Sequence, residues 1–362
     1  MPVFLSVQTE NLPYSLTQET ALKFARSLFQ HQFKDIERLL TIFQNGEIES
    51  RYFAMPLEWF ESAHSLEEKN ELYIENATQF GVRAIEKCLL RSGHLQSAIS
   101  PEEIDAIFFI SSSGFSTPSI EARIMNKLPF SNHTKRIPIW GLGCAGGASG
   151  FSRAYEYCLA YPKSNALVLS VELCSLTFQH DDKSKSNLVG TSLFADGVGC
   201  ALICGDESDL IKHSKLGAIP AIFDTMSTLM PNSEDVMGWN VKNNGLYVVF
   251  SRDIPSIITK WLKPNVDQLL EKHQLDEKMI DHFIVHPGGK KVLDAYVGAI
   301  GINEEKLSIS KEVLKHHGNM SSATIFYCLK RFMDKVCEKG QMGLIGALGP
   351  GFSSELLLVR WV

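Results

Sequence analysis

The run GLGCAGGASG, residues 141–150, sets one thiol, Cys144, among five glycines. The apolar stretch Ile137-Pro138-Ile139-Trp140 precedes it and a helix-like segment follows. Three roles compete for the cysteine. It is a small buried residue in a tight turn, as most free cysteines are. Or Gly141, Gly143 and Gly146, which spell G-x-G-x-x-G, form a dinucleotide-binding turn, with Glu172 ending the next strand where a ribose-binding acid would sit. Or Cys144 is a nucleophile held at a helix N-terminus.

The packing role leaves the glycines poorly explained, because a glycine-rich strand-to-helix turn lets backbone approach a ligand closely. The dinucleotide role suffers from spacing: Glu172 lies 26 residues beyond Gly146, against about 20 in the fingerprint. The nucleophile role makes a demand the chain can meet. A free thiol with a pKa near 8.5 is only about 3% ionised at pH 7. A helix N-terminus and an imidazolium neighbour would lower that pKa by several units, so a histidine and a polar group must converge on the sulfur.

Of eleven histidines, most stand in polar or helical-surface surroundings, and His316 and His317 fit a helix end. His286 differs. It ends the apolar run HFIVH and is followed by PGGKK, a turn that stops a strand with its last side chain projecting, where α/β sheets meet ligands. Asn319, in HGNMSSAT (317–324), opens a helix; it either caps that helix or offers an amide N–H to a developing oxyanion. A Cys-His-Asn set serves two chemistries. Papain-like proteases use one, with the cysteine near the mature N-terminus in a different local signature. The other is decarboxylative Claisen condensation, in which the thiol carries an acyl group.

The elements that must position these groups alternate along the chain. Strands are expected at 106–111, 136–141, 166–173, 197–204, 282–286, 343–348 and 356–361, and helices at 17–30, 69–91, 255–272 and 321–337. This is an α/β pattern with buried sheets. An internal echo runs through it. EEIDAIFFISS (102–112) and KMIDHFIVHPG (278–288) share Ile-Asp before an apolar strand at an offset of 176, and Gly143-Cys144 matches Gly318-Asn319 at 175. Two copies of one unit packed face to face would bring Cys144 and Asn319 to equivalent helix starts, with His286 nearby. The division expected is 1–219, carrying the cysteine, and 220–362, carrying the histidine and asparagine. Pro220 to Pro231 reads as the least regular stretch and the seam.

Composition bounds the function. The chain has 362 residues, 44% hydrophobic and 21% charged, enough for two cores. A net charge of −6 without a long basic run argues against nucleic acid as partner. No apolar stretch approaches the roughly 20 residues of a membrane span, and no basic region leads an apolar core as in a secretion signal. The eight cysteines form no C-x-x-C and no zinc-ligand spacing, so neither a metal site nor a disulfide framework is expected and the cytoplasm is the default.

WGLGCAGGASG, GTSLFADG (190–197), VHPGGKKVLDAY (285–296), HGNMSSAT and GALGPGFSSE (346–355), in this order, closely resemble the chalcone synthase-like type III polyketide synthases. Within them the chain looks most like bacterial alkylpyrone synthases, through STPSIEARIMNKLPF (116–130), ELCSLTFQ (172–179) and MGW (237–239). The resemblance implies a thiolase-like five-layered αβαβα fold built from two related halves, acting as a homodimer. It implies that Cys144 carries the acyl group, that His286 pairs with it as base, and that His286 and Asn319 hold the malonyl-CoA carbonyl during loss of carbon dioxide. Phe194 matches the phenylalanine that gates the pocket beside them. Coenzyme A thioesters, an acyl-CoA starter and malonyl-CoA, are the implied substrates, with no bound cofactor.

Departures from the plant pattern bear on product. Val248 replaces a pocket phenylalanine, Cys174 replaces a threonine, Thr177 is retained, and Trp239 falls near a plant glycine. With Ser321 these outline a cavity suited to a fatty acyl starter and an alkylpyrone product. Arg38 matches a coenzyme A-binding lysine only loosely, without the basic cluster around it. Thr117 stands where plant enzymes place a methionine that reaches into the partner subunit. Two alternatives remain open: the condensing enzyme that initiates fatty acid synthesis on an acyl carrier protein, also Cys-His-Asn, and a dinucleotide-binding oxidoreductase.

Overall fold

The structure is a computed structural model that describes residues 1–335 and 337–362. Strands, in chain order, are β1 (Val3–Glu10), β2 (Tyr14–Thr17), β3 (Ser50–Phe53), β4 (Ala106–Ile110), β5 (Lys135–Ile139), β6 (Asn165–Leu173), β7 (Asp196–Cys204), β8 (Pro220–Leu229), β9 (Met237–Lys242), β10 (Gly245–Phe250), β11 (His282–Val285), β12 (Met342–Gly349) and β13 (Ser353–Trp361). Helices are α1 (Gln18–Phe29), α2 (Ile36–Asn45), α3 (Leu66–Leu89), α4 (Ile120–Met125), α5 (Gly146–Ala160), α6 (Lys185–Leu193), α7 (Ile254–Glu271), α8 (Lys290–Ile300), α9 (Ser308–His317) and α10 (Thr324–Met333).

Nine strands join in the order β11-β12-β13-β8-β1-β7-β6-β4-β5. The two ends repeat one pattern. β4 runs parallel to β6, β6 antiparallel to β7, and β7 antiparallel to β1. Likewise β11 runs parallel to β12, β12 antiparallel to β13, and β13 antiparallel to β8. Each half places a long helix before its first strand, α3 before β4 and α7 before β11, and a buried helix before its second, α5 before β6 and α10 before β12. The echo at offsets near 175 is this duplication. The halves meet where β1 touches β8 at the Val3–Ala221 pair.

Period-2 alternation builds the layers. On β4, Ile107 and Phe109 face α3 in one core, while Ala106, Phe108 and Ile110 face α5 in a second. On β13, Leu357 and Val359 join that second core, while Leu356 and Leu358 face α7 and α8 in a third. The order is therefore helix, sheet, helix pair, sheet, helix, the five-layered thiolase-type arrangement. The central pair packs face to face, with the Phe151 and Phe326 rings 4.6 Å apart between α5 and α10. Gly147 allows this approach: a Cβ there would stand 2.2 Å from the Ser322 carbonyl oxygen. The glycines after Cys144 thus serve helix-to-helix contact as much as any ligand.

Three expectations change. Pro220–Pro231 is not irregular; it holds β8, which spans ten residues. Pro220 occupies the first strand position, where its missing N–H is tolerated, and Pro231 follows the end, so the prolines frame a strand. The helix expected at 321–337 begins as a single tight turn, Ser321–Ala323, and continues as α10 to Met333; Val336 lies outside the described residues. The hairpin β9–β10 was not anticipated, although Asn243-Asn244-Gly245 carries turn chemistry at its tip.

Candidate active site

Cys144 sits in the turn Gly143–Ala145 that runs directly into α5. Gly143 takes φ +45°, and a Cβ on it would meet the Pro350 ring at 2.7 Å, so the turn is clasped by the loop after β12 in the other half. His286 follows β11, and its N–H donates to Gly346 O at 2.8 Å. Asn319 sits between α9 and α10, bridged to Phe194: Asn319 N donates to Leu193 O at 3.0 Å and Ala195 N to Asn319 O at 2.9 Å. All three side chains line one cavity of about 300 Å³. The thiol donates weakly to Asn319 Oδ1 at 3.9 Å. That oxygen also accepts from Ser321 N at 2.8 Å, and Asn319 Nδ2 donates to Gly288 O at 3.1 Å. The carboxamide is thereby fixed in orientation with one N–H left over for a ligand.

The electrostatics differ from the sequence expectation. Burial pushes the Cys144 thiol up to about 12; the Ser321 and Asn319 side chains oppose that rise only in part, and the Glu172 charge adds to it. Burial likewise pushes His286 down to about 3. Taken one at a time, burial favours the neutral form of each group. Both His286 ring nitrogens are buried without a hydrogen-bond partner among the described residues. A neutral imidazole of this kind can accept the thiol proton as sulfur attacks, then return it.

This depression has a consequence for stability. The folded His286 value lies below the ordinary 6.5, so the unfolded chain binds the extra proton and stability is lost as pH falls from 6.5 toward 3. Between pH 7 and pH 5 this costs about 2 kcal/mol. Urea unfolding at the two pH values should show a smaller drop for His286→Gln than for the wild type.

The predicted pocket residues divide. Cys174, Thr177, Phe194, Trp239 and Val248 line a second, narrower cavity of about 70 Å³, beside the first and without Cys144 in its wall. Phe194 stands between the two, its ring stacked on Phe250 at 5.6 Å, a lining residue of the first cavity, and tilted against Trp239 at 5.8 Å. Trp239 and Val248 face each other across the β9–β10 pair. Ser321 lines neither cavity; it is a positive-φ residue whose backbone holds Asn319. Arg38 stands one turn before Ile42, which lines the Cys144 cavity, and is not itself in that lining. It projects from α2 into solvent, 79% exposed, and pairs with Asp35 at 3.8 Å. The cations that line the Cys144 cavity are Lys290, whose Nζ pairs with Asp294 at 3.2 Å and Glu47 at 3.5 Å, and Lys291, both at the start of α8.

Glu172 cannot serve a dinucleotide ribose. It is fully buried, accepting from Ser112 N at 3.0 Å and from the Ser113 and Ser322 hydroxyls, and so joins the halves behind the active site. Sequence reasoning also missed Arg51, wholly buried, whose Nη1 donates to Thr191 O and Phe194 O at 2.8 and 2.7 Å and so braces the segment bearing Phe194. Its place within SRYF of β3, on the same face as Phe53, was the available signal.

Residues 31–207 match the profile described as chalcone and stilbene synthases, N-terminal domain, and residues 221–362 match the corresponding C-terminal domain. The chain is 56% identical over 362 residues to a Bacillus subtilis (strain 168) protein described as "Putative chalcone synthase", covering 100% of this chain and 99% of that protein. It is 31% identical to a 1,3,6,8-tetrahydroxynaphthalene synthase of Streptomyces peucetius subsp. caesius, over 98% of this chain and 92% of that one. Among solved structures, the tetrahydroxynaphthalene synthase of Streptomyces coelicolor A3(2), a bacterial type III polyketide synthase, superposes with a TM-score of 0.89 at 27% identity over 99% of each chain.

Proposed function

The chain belongs to the chalcone and stilbene synthase family, and from that membership we propose that it is a type III polyketide synthase that extends a fatty acyl-CoA starter with malonyl-CoA and releases alkylpyrones. The observation that carries the reading is the convergence of Cys144, His286 and Asn319 on one cavity from both halves of the fold. Cys144 attacks the starter thioester, its proton passing to His286 and on to the departing coenzyme A thiolate. The carbonyl oxygen of malonyl-CoA then meets an imidazole N–H and the spare Asn319 N–H. The bond between the α-carbon and the carboxylate breaks, carbon dioxide leaves, and the electron pair remains as an enolate stabilised by those donors. The enolate carbon attacks the Cys144 thioester and expels its thiolate; the lengthened chain, now on coenzyme A, is transferred back to Cys144 with loss of coenzyme A for the next round. An enol oxygen closing on the thioester gives a pyrone.

The acyl chain is assigned to the second cavity, whose wall of Phe24, Phe53, Phe60, Phe194, Trp239 and Val248 is apolar. Filling it requires the Phe194–Phe250 stack to part. The phosphates of coenzyme A are assigned to Lys290 and Lys291 in place of Arg38, since a polyanion approaching a chain of net charge −6 needs local cations. A homodimer is supported by β5, an edge strand paired only with β4, beside Trp140 and Phe115, which are 49% and 36% exposed, and the exposed Thr117. No helix among the described residues is long and apolar enough to cross a membrane.

Incubation with lauroyl-CoA and malonyl-CoA, without acyl carrier protein, tests this. Alkylpyrones detected by mass spectrometry, from protein sedimenting as a dimer, are expected. Replacing both lysines by alanine should raise KM for the coenzyme A thioesters about tenfold or more. Dependence on an acyl carrier protein, or a release of aromatic products with no use of fatty starters, would remove the reading.

A further inference from the structure

Tyr296 lies in α8 and is 1% exposed, and it lines the same cavity as Cys144, His286 and Asn319. Its hydroxyl has no hydrogen-bond partner among the described residues. Buried tyrosine hydroxyls ordinarily find one, and a buried polar group without one costs stability. Nothing else near it calls for a hydroxyl. The surrounding lining is Ile254, Ile258, Val292, Leu348 and Phe352, where phenylalanine would pack as well. Both lining serines are engaged: Ser192 Oγ donates to Val189 O at 2.8 Å, and Ser251 Oγ accepts from Asp253 N at 3.2 Å. Among the buried side-chain atoms of this lining, the unpartnered ones are the Tyr296 hydroxyl and the two His286 ring nitrogens. Burial, and then the charge Cys144 would carry, hold the Tyr296 phenol protonated, so it enters any reaction as a neutral donor.

A malonyl thioester brings three oxygens that need partners. The reading above, on which this inference rests, gives the thioester oxygen to His286 and Asn319. The carboxylate oxygens are left. A cation on them would hold a charge that the transition state must lose as carbon dioxide forms, and binding that is stronger in the ground state slows the step. A single neutral hydroxyl in apolar surroundings orients the carboxylate with less of that penalty. We propose that Tyr296 donates its hydroxyl to the carboxylate of bound malonyl-CoA and aims the carbon–carbon bond that breaks. The phenol keeps its proton throughout; the electron pair of the broken bond stays on the α-carbon.

Tyr296→Phe in the full chain removes one oxygen and little else. Its thermal midpoint is expected to stay level or rise, because an unpartnered buried group is gone. Acylation of Cys144 by lauroyl-CoA, read by mass spectrometry in a single turnover, is expected within about twofold of wild type, since the starter has no carboxylate. KM for malonyl-CoA decarboxylation should rise about tenfold, the loss of one hydrogen bond to a charged group. An unchanged malonyl-CoA KM, a parallel fall in acylation, or a lowered midpoint would each overturn the proposal. Those outcomes are distinct from failure of the synthase reading, in which the wild type itself neither takes the acyl group nor decarboxylates malonyl-CoA.

Discussion

Replacing Cys144 by alanine is expected to abolish condensation, with product down at least about a thousandfold, while decarboxylation of malonyl-CoA persists within a few fold. The separation follows from which atoms each half-reaction uses. Condensation needs a sulfur to hold the growing chain through a covalent bond, and no other thiol can substitute. Cys174 lies in the wall of the neighbouring cavity, buried, with its pKa pushed well above the ordinary thiol value by that burial. Cys158 and Cys328 are buried among the core side chains. Decarboxylation needs only the two donors to the carbonyl oxygen, which survive the change. Cys144→Ser should be nearly as inactive in condensation, because a hydroxyl is a poorer nucleophile and loses its proton less readily than a thiol. The measurement is paired: mass of the acyl-enzyme after lauroyl-CoA, and acetyl-CoA formed from malonyl-CoA. Full-speed condensation by the serine variant would remove Cys144 from the mechanism.

How much of this site could be read from the chain follows from the range of the signals. Cys144, His286 and Asn319 are each marked locally, by a glycine-rich turn, a strand stop and a helix start, and the duplication says that two of these starts converge. Those cues survive folding because backbone geometry sets them. The apolar runs of β4, β6, β7 and β12 were equally plain, and these strands fall within a residue or two of expectation. What was not legible depends on contacts far apart in sequence. The wall between the two cavities is a contact of Phe194 with Phe250, on α6's end and on β10, which no local pattern announces. Lys290, Lys291 and Tyr296 share α8, but only the packing of that helix brings its first residues and the Tyr296 side chain to the Cys144 cavity. The surroundings of the Cys144 sulfur are non-local in the same way: the helix start favours a thiolate, while burial acts through everything packed around the sulfur and opposes it.

Asn319 offers the second large effect, and two substitutions separate its tasks. Its Oδ1 holds the backbone of Ser321 and its Nδ2 holds Gly288, the turn that follows His286. Asn319→Ala removes both contacts together with the spare N–H, so a fall of about a hundredfold or more in malonyl-CoA decarboxylation mixes lost stabilisation with a loosened turn. Asn319→Asp keeps an oxygen for Ser321 N but withdraws the donor and places a carboxylate toward the oxygen where negative charge must grow. If the amide acts by stabilising that charge, aspartate is the worse change despite the better fit, and its activity should recover as pH falls and the carboxyl is protonated. If the residue serves only to cap the turn, aspartate should work nearly as well as asparagine and show no such recovery. Starter loading on Cys144, which forms no enolate, supplies the control: it should drop less than decarboxylation in the aspartate variant. The comparison therefore tests whether a neutral amide stands beside Cys144 and His286 for a reason, namely that negative charge must grow on the oxygen it faces.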